Sequence, residues 1–209
     1  RSDYFWYGYP FEQVDGQRDY QQRVLWTDEQ LRDDFKRWLV NAPLLAGDMG
    51  NQMVDRFYGG SRETWVHAPD SSLSAEAYTT NTVYQALASI LASLRPQMDQ
   101  GVHPTAMSIP DNQLPTINFT MGDSRVLKAL IGGTQGIGVR IDDFYIWRGG
   151  RPQYRGKVLL KIYDVFGVGQ SDLYHPSLID FWILQHQRLG HHPFINELHV
   201  EHRFGYQVR

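Results

Sequence analysis

Between Trp26 and Val40, Leu31, Phe35, Trp38 and Leu39 recur at helical spacing among acids and bases, which predicts an amphipathic helix. Thr27 precedes it with Gln30 at capping-box spacing, acids fill the first turn, and Pro43 marks the stop. A second helix is predicted around Asp48 to Tyr58, where Met49, Met53 and Phe57 repeat and Gly59-Gly60 ends the pattern. A third, starting near Ser74, turns Val83, Leu87, Ile90, Leu91 and Leu94 inward and is expected to end before Pro96. Residues 96–115 then carry Pro96, Pro104, Pro110 and Pro115 with little apolar periodicity. Connections of that length are uncommon inside a compact domain, so this one reads as a seam. It would join a helical layer, residues 1–95, to a sheet-bearing part, residues 116–209, of one domain.

Beyond the seam the hydrophobic period shortens. Thr116–Met121 reads as a short strand, Gly133–Trp147 as an aromatic-rich one, and Gln153–Gly167 as its return after the turn Arg148–Pro152. Pro176–Gly190 predicts an amphipathic helix, with Ser177 as N-cap, Asp180 three residues later and Gly190 as the stop. Leu178, Phe181, Trp182 and Leu189 are expected together on it, and Gln185 interrupts them. His191–Tyr206 supplies a last strand. The expected class is α+β: a helical N-terminal layer, then a small antiparallel, partly barrel-like sheet with a helix across one face.

Composition narrows the partners more than the fold. The 209 residues, 42% hydrophobic and 21% charged, suffice for a globular core. A net charge of −3 offers no basic field, which argues against nucleic acid as partner and leaves a nuclease as the weakest option. With no cysteine, thiolate zinc and disulfides are excluded. No apolar run approaches the roughly 20 residues that span a bilayer. Opening on Arg1 without a leader, the chain reads as a piece of a longer protein. Tyr4–Phe11 packs six aromatics into eight positions, and reads as an arm over the domain's own core or as a peripheral membrane contact. The glycine run Ile131–Gly138 lacks the Lys-Ser/Thr ending of a phosphate loop and leads into a strand.

Candidate chemistry gathers near the C-terminus. Asp164 continues the apolar row Val158, Leu160, Ile162 of one strand face, where a carboxylate is costly unless it is paired, hydrogen-bonded or protonated. It reads either as the cap of the following turn or as a catalytic acid or base. Gly167 and Gly169 give that turn freedom, and Asp172, Tyr174 and His175 follow, a set suited to acid–base work or a divalent cation. On the last strand Glu197, His199 and Glu201 share a face, as a metal ladder or a solvated surface. His191, His192 and His199 read as surface residues.

The stretch KIYDVFGVGQSDLYHP, the Trp-containing helix ending in QRLG, and HPFINEL resemble the bacterial domain of unknown function 3289 family. Members of that family occur with type VI secretion and Rhs polymorphic toxins. Asp164, Phe166, Gly167, Asp172, Pro193, Phe194, Ile195 and Glu197 match its pattern, with weaker likeness over WTDEQLRDDF and GDMGNQMVDRFYGG. More distantly the chain is similar to the colicin M toxin domain, which hydrolyses lipid II in the periplasm with a divalent cation. Of that domain's Asp-x-Tyr-Asp motif, Asp164 stands for the first Asp, while Phe166 and Gly167 replace the Tyr and second Asp.

The resemblance implies an antibacterial toxin secreted by a Gram-negative bacterium, which acts in the target periplasm on a lipid-linked envelope precursor. It implies Asp164, Asp172, His175 and Glu197 as catalytic residues, and Asp164 and Asp172 as ligands of a divalent cation, magnesium. Arg188, Arg203 and Phe166 would contact substrate. A cognate immunity protein and a secretion-spike or Rhs parent chain are the implied partners. The competing expectation is a non-catalytic delivery or adaptor module of the spike.

Overall fold

The computed structural model describes residues 17–41, 46–147, 153–169, 173 and 176–207; Tyr4–Phe11, Asp172 and His175 lie outside them. Helices α1 (Gln17–Arg23), α2 (Asp28–Val40) and α3 (Gly47–Tyr58) come first. The capping box forms as expected: Gln30 N–H donates to Thr27 Oγ1 (3.2 Å), and Thr27 N–H donates to the Gln30 side chain (2.9 Å). Leu31, Phe35 and Leu39 are buried on the predicted face of α2.

The expected third helix is two, α4 (Ser72–Tyr78) and α5 (Asn81–Asp99). Thr80 caps the second by accepting the Val83 N–H, which starts a fresh helix in mid-pattern. Pro96 does not end α5 but lies within it. An interior proline costs about 3 kcal/mol, while fully burying a side chain such as Met98 returns roughly 1.5–3 kcal/mol. Met98 continues the buried row of Leu87, Leu91 and Leu94. Gln97 adds two bonds to the Ser108 backbone, which fold the proline-rich connection back along the helix end.

After two 3-10 turns and α6 (Arg125–Leu130), the strands β2 (Gly136–Trp147), β3 (Gln153–Phe166) and β4 (Phe194–Gln207) follow, with α7 (Pro176–Gln187) between the last two. β3 pairs antiparallel with both β2 and β4. The class is α+β, but the sheet is mixed. A three-residue strand from the helical half, β1 (Trp65–His67), joins β4 in parallel and gives the order β1-β4-β3-β2. Three residues are too few for alternation to announce a strand, and β1 carries the sheet across the expected seam. Thr116–Met121 makes only an isolated bridge, Asn118 to Gly133.

A bulge at Asp143, whose φ is +50°, resets the alternation of β2. Beyond it Tyr145 and Trp147 are exposed. The outer face is polar. Lys161 pairs with Glu197 (2.8 Å) and Lys157 with Glu201 (3.2 Å), so the expected Glu197–His199–Glu201 ladder is neutralised by lysines of the neighbouring strand.

Helix α7 departs most from expectation. It is not amphipathic: Ser177 through His186 are all buried, with apolar residues on every side. Pro176 occupies the first position, so Ser177 lies inside the helix and donates to Asp34 (3.3 Å). Leu189 is 81% exposed and takes no part in the core.

Asp180, 0% exposed, and Asp34 share the Arg23 guanidinium, which reaches Asp34 at 2.9 Å and also pairs with Asp180. Desolvation outweighs Arg23 and pushes the Asp180 carboxyl up to about 8. Desolvation also acts upward on Asp34, but hydrogen bonds from Arg23, Asp180 and Ser177 outweigh it and hold that carboxyl below its ordinary value. One arginine and one proton thus serve two acids.

A carboxyl raised from 3.8 to about 8 contributes stability that is fully present below pH 4 and lost as pH rises through 8. Stability is predicted to fall between pH 5 and pH 8, at no more than about 1.4 kcal/mol per pH unit from this one proton. Asp180→Asn, which keeps the neutral shape, should flatten that decline in urea denaturation. A mutant slope equal to wild type would contradict it.

Candidate functional site

β3 carries Asp164 to the end of the sheet on the inner face, in line with Val158, Leu160 and Ile162, as the alternation predicts. At 9% exposure its carboxylate is nearly withdrawn from water. Its register partner on β4 is Asn196, fully buried. Asn196 meets His67 of β1 through Oδ1 (3.4 Å) and donates to the Met53 sulfur (3.6 Å). Burial lowers the His67 pKa despite the bond to Asn196, which favours the neutral ring. A polar group thus lies beside Asp164 on the next strand.

Beyond Asp164, Phe166, Gly167 and Val168 border a cleft of about 530 Å³. Trp38 and Leu39 of α2, Leu178 and Phe181 of α7, and Met121 form its apolar wall. Asp164, Lys128 of α6 and the Gly132-Gly133 backbone supply its polar lining. The wall is held by ring packing. Phe35 stacks on Phe181 at 4.4 Å between centroids, and Phe166 tilts against Phe181 (5.3 Å) and Phe194 (5.4 Å). A concave site with an apolar wall and a few convergent polar groups suits a ligand that is apolar over most of its length and polar at one end.

The structure brings Asp164 and Phe166 together at this cleft. It does not bring Glu197 to them. Glu197 follows Asn196 on β4 and so points to the outer face, where Lys161 (2.8 Å) and His199 (2.5 Å) bond to it. Desolvation acts upward on Glu197, but those two bonds prevail and hold it below its ordinary range. Arg203 is exposed on the same outer face, opposite Lys157. Arg188 is engaged elsewhere: it donates to Asp28 (2.9 Å), Val24 O (2.8 Å) and Trp26 O (3.3 Å), tying the end of α7 to the α1–α2 connection.

His191, expected at the surface, is buried in the same junction. Its ring stacks on Tyr58 (4.5 Å), and its nitrogens meet Tyr58 O (2.9 Å) and Asp28 (3.2 Å). Asp172 and His175 lie outside the described residues. The cation of the cleft, Lys128, was missed by sequence reasoning. Its one available signal was a base one turn before the Gly132-Gly133 break, in a helix capped by Ser124.

For a divalent cation the cleft offers one described carboxylate, Asp164; among the described residues no group of three His, Cys, Asp or Glu could hold a metal. Comparison of the chain with protein-family models, curated proteins and solved structures finds no match.

Because its guanidinium is spent on the α1–α2 connection, Arg188→Ala should cost stability, about 1–2 kcal/mol for partly exposed charged hydrogen bonds. A thermal scan measures this directly. An unchanged Tm together with lost activity would return Arg188 to the site.

Proposed function

We propose that this chain is an antibacterial toxin domain that hydrolyses a lipid-linked cell-envelope precursor at its pyrophosphate linkage, as in lipid II. The observation that carries the reading is Asp164: a nearly buried carboxylate at the polar end of a cleft whose wall is aromatic and aliphatic. An isoprenoid chain matches the wall, and a pyrophosphate matches the polar end. The likeness of KIYDVFGVGQSDLYHP to toxin domains points the same way.

In this reading Asp164 and Asp172 would hold a magnesium ion, which would supply positive charge against the negative charge developing on the pyrophosphate. His175 takes the proton of the attacking water, whose oxygen bonds to phosphorus as the linking phosphorus–oxygen bond breaks. Lys128 contacts the phosphate, in place of Arg188 and Arg203, which the resemblance implies as substrate contacts. Phe166 and Trp38 keep water from the apolar portion. Glu197 has no part in the step, since it faces the other side of the sheet.

The purified domain with magnesium is expected to cleave lipid II, and Asp164→Asn to lower kcat at least 100-fold with an unchanged circular dichroism spectrum. Lys128→Met should raise KM more than it lowers kcat. Expression with a periplasmic leader should arrest growth through Asp164. Intact lipid II under conditions where a colicin M control works rejects the substrate. Harmlessness in both periplasm and cytoplasm favours the non-catalytic spike module instead.

A further inference from the structure

One of the polar residues buried in α7 holds the candidate site's turn. Gln185 is buried among Trp182, Ile183 and Leu184, where an aliphatic side chain would pack at less cost in desolvation. Its amide faces Val168. The Val168 N–H donates to Gln185 Oε1 (2.9 Å), and Gln185 Nε2 donates back to Val168 O (2.9 Å). Nε2 also lies 2.7 Å from His186 Nε2, a ring nitrogen that itself stands 3.3 Å from Val168 O, so His186 faces the same carbonyl and the same amide.

β3 ends at Phe166, so Val168 has left the strand ladder while still buried. Its backbone groups need partners there. The side-chain amide supplies both at once, as a neighbouring strand's backbone would. Gly167 and Gly169 on either side bring no side chain that could fix the turn by packing. The ladder holds Asp164 and Phe166 opposite Asn196 and Phe194, and the grip on Val168 holds the turn that continues from them along the cleft.

We propose that Gln185 is a positioning residue, an amide clamp on Val168 that fixes the Gly167–Gly169 turn beside Asp164 and Phe166 in its working geometry. The proposal rests on the reading of the cleft as the active site, and its test separates the two.

Two variants of the full chain, Gln185→Met and Gln185→Glu, carry the test. Amide hydrogen exchange is read by NMR relative to unstructured-peptide rates, beside kcat and KM for lipid II with magnesium. Gln185→Met fills the space without the clamp. It should exchange the Val168 amide at least 100-fold faster, leave the Leu160 amide in mid-strand unchanged, and lower kcat at least tenfold with KM within threefold.

Gln185→Glu adds a signature that loss of packing would not give. As a neutral acid it offers one acceptor and one donor, the same pair as the amide. As a carboxylate it sets a negative oxygen against Val168 O. Its Val168 amide should therefore be protected at low pH and lose protection as pH rises through that carboxyl's titration, a step wild type lacks.

Unchanged Val168 exchange in Gln185→Met, or no pH step in Gln185→Glu, overturns the clamp. Faster exchange with wild-type kcat overturns the positioning role and leaves the active-site reading intact. A wild-type chain inactive on lipid II rejects that reaction and the positioning role with it, while the exchange data still decide the clamp.

Discussion

A helix buried on every side must satisfy its polar side chains from within the protein, and α7 carries four of them: Ser177, Asp180, Gln185 and His186. Hydrophobic burial drives the helix onto the sheet without specifying its rotation or depth. The polar groups do that. Ser177 reaches Asp34 on α2, Asp180 reaches Arg23 on α1, and Gln185 reaches the Val168 backbone after β3. Each bond is modest in net terms, but the penalty for leaving its buried partner unpaired is larger. A shift of α7 by one turn would strand several at once.

The candidate site follows from that placement. With α7 fixed, Phe181 packs edge-on to Phe57 of α3 (4.3 Å) and stacks on Phe35 of α2, so the cleft wall is continuous with the core. The fourteen-residue strand β3 delivers Asp164 and Phe166 to the far side of the same cleft. Its polar end lies where regular structure stops, at the last turn of α6 and the turn after β3. Side chains at such ends of regular structure can converge on a ligand from different elements.

Much of the frame was legible from local pattern. The Thr27–Gln30 capping box, the stripe Leu31-Phe35-Leu39 and the inward row ending at Asp164 are short-range signals, and each formed as read. Pairings between distant segments were not legible. Nothing near Asp180 announces Arg23, 157 residues away, and nothing in Pro193–Glu197 reveals that Asn196 rather than Glu197 stands beside Asp164. Alternation gives the parity within one strand; only register relates two strands. For α7 the signal was present but misweighed: Leu178, Ile179, Phe181, Trp182, Ile183 and Leu184 leave no polar face wide enough for water. Pro96 misled because a buried continuation of the stripe, Met98, lay just beyond it.

On the proposed function the Asp164 cleft receives an apolar chain ending in pyrophosphate. The most direct test of this is NMR titration of the isotopically labelled chain with farnesyl pyrophosphate and magnesium. Backbone shifts should concentrate at Asp164–Val168, Lys128–Gly133 and Trp38, with a pyrophosphate-dependent change at the Lys128 side chain. Shifts confined to the outer sheet face around Glu197, His199 and Glu201, or none at saturating ligand, would contradict it.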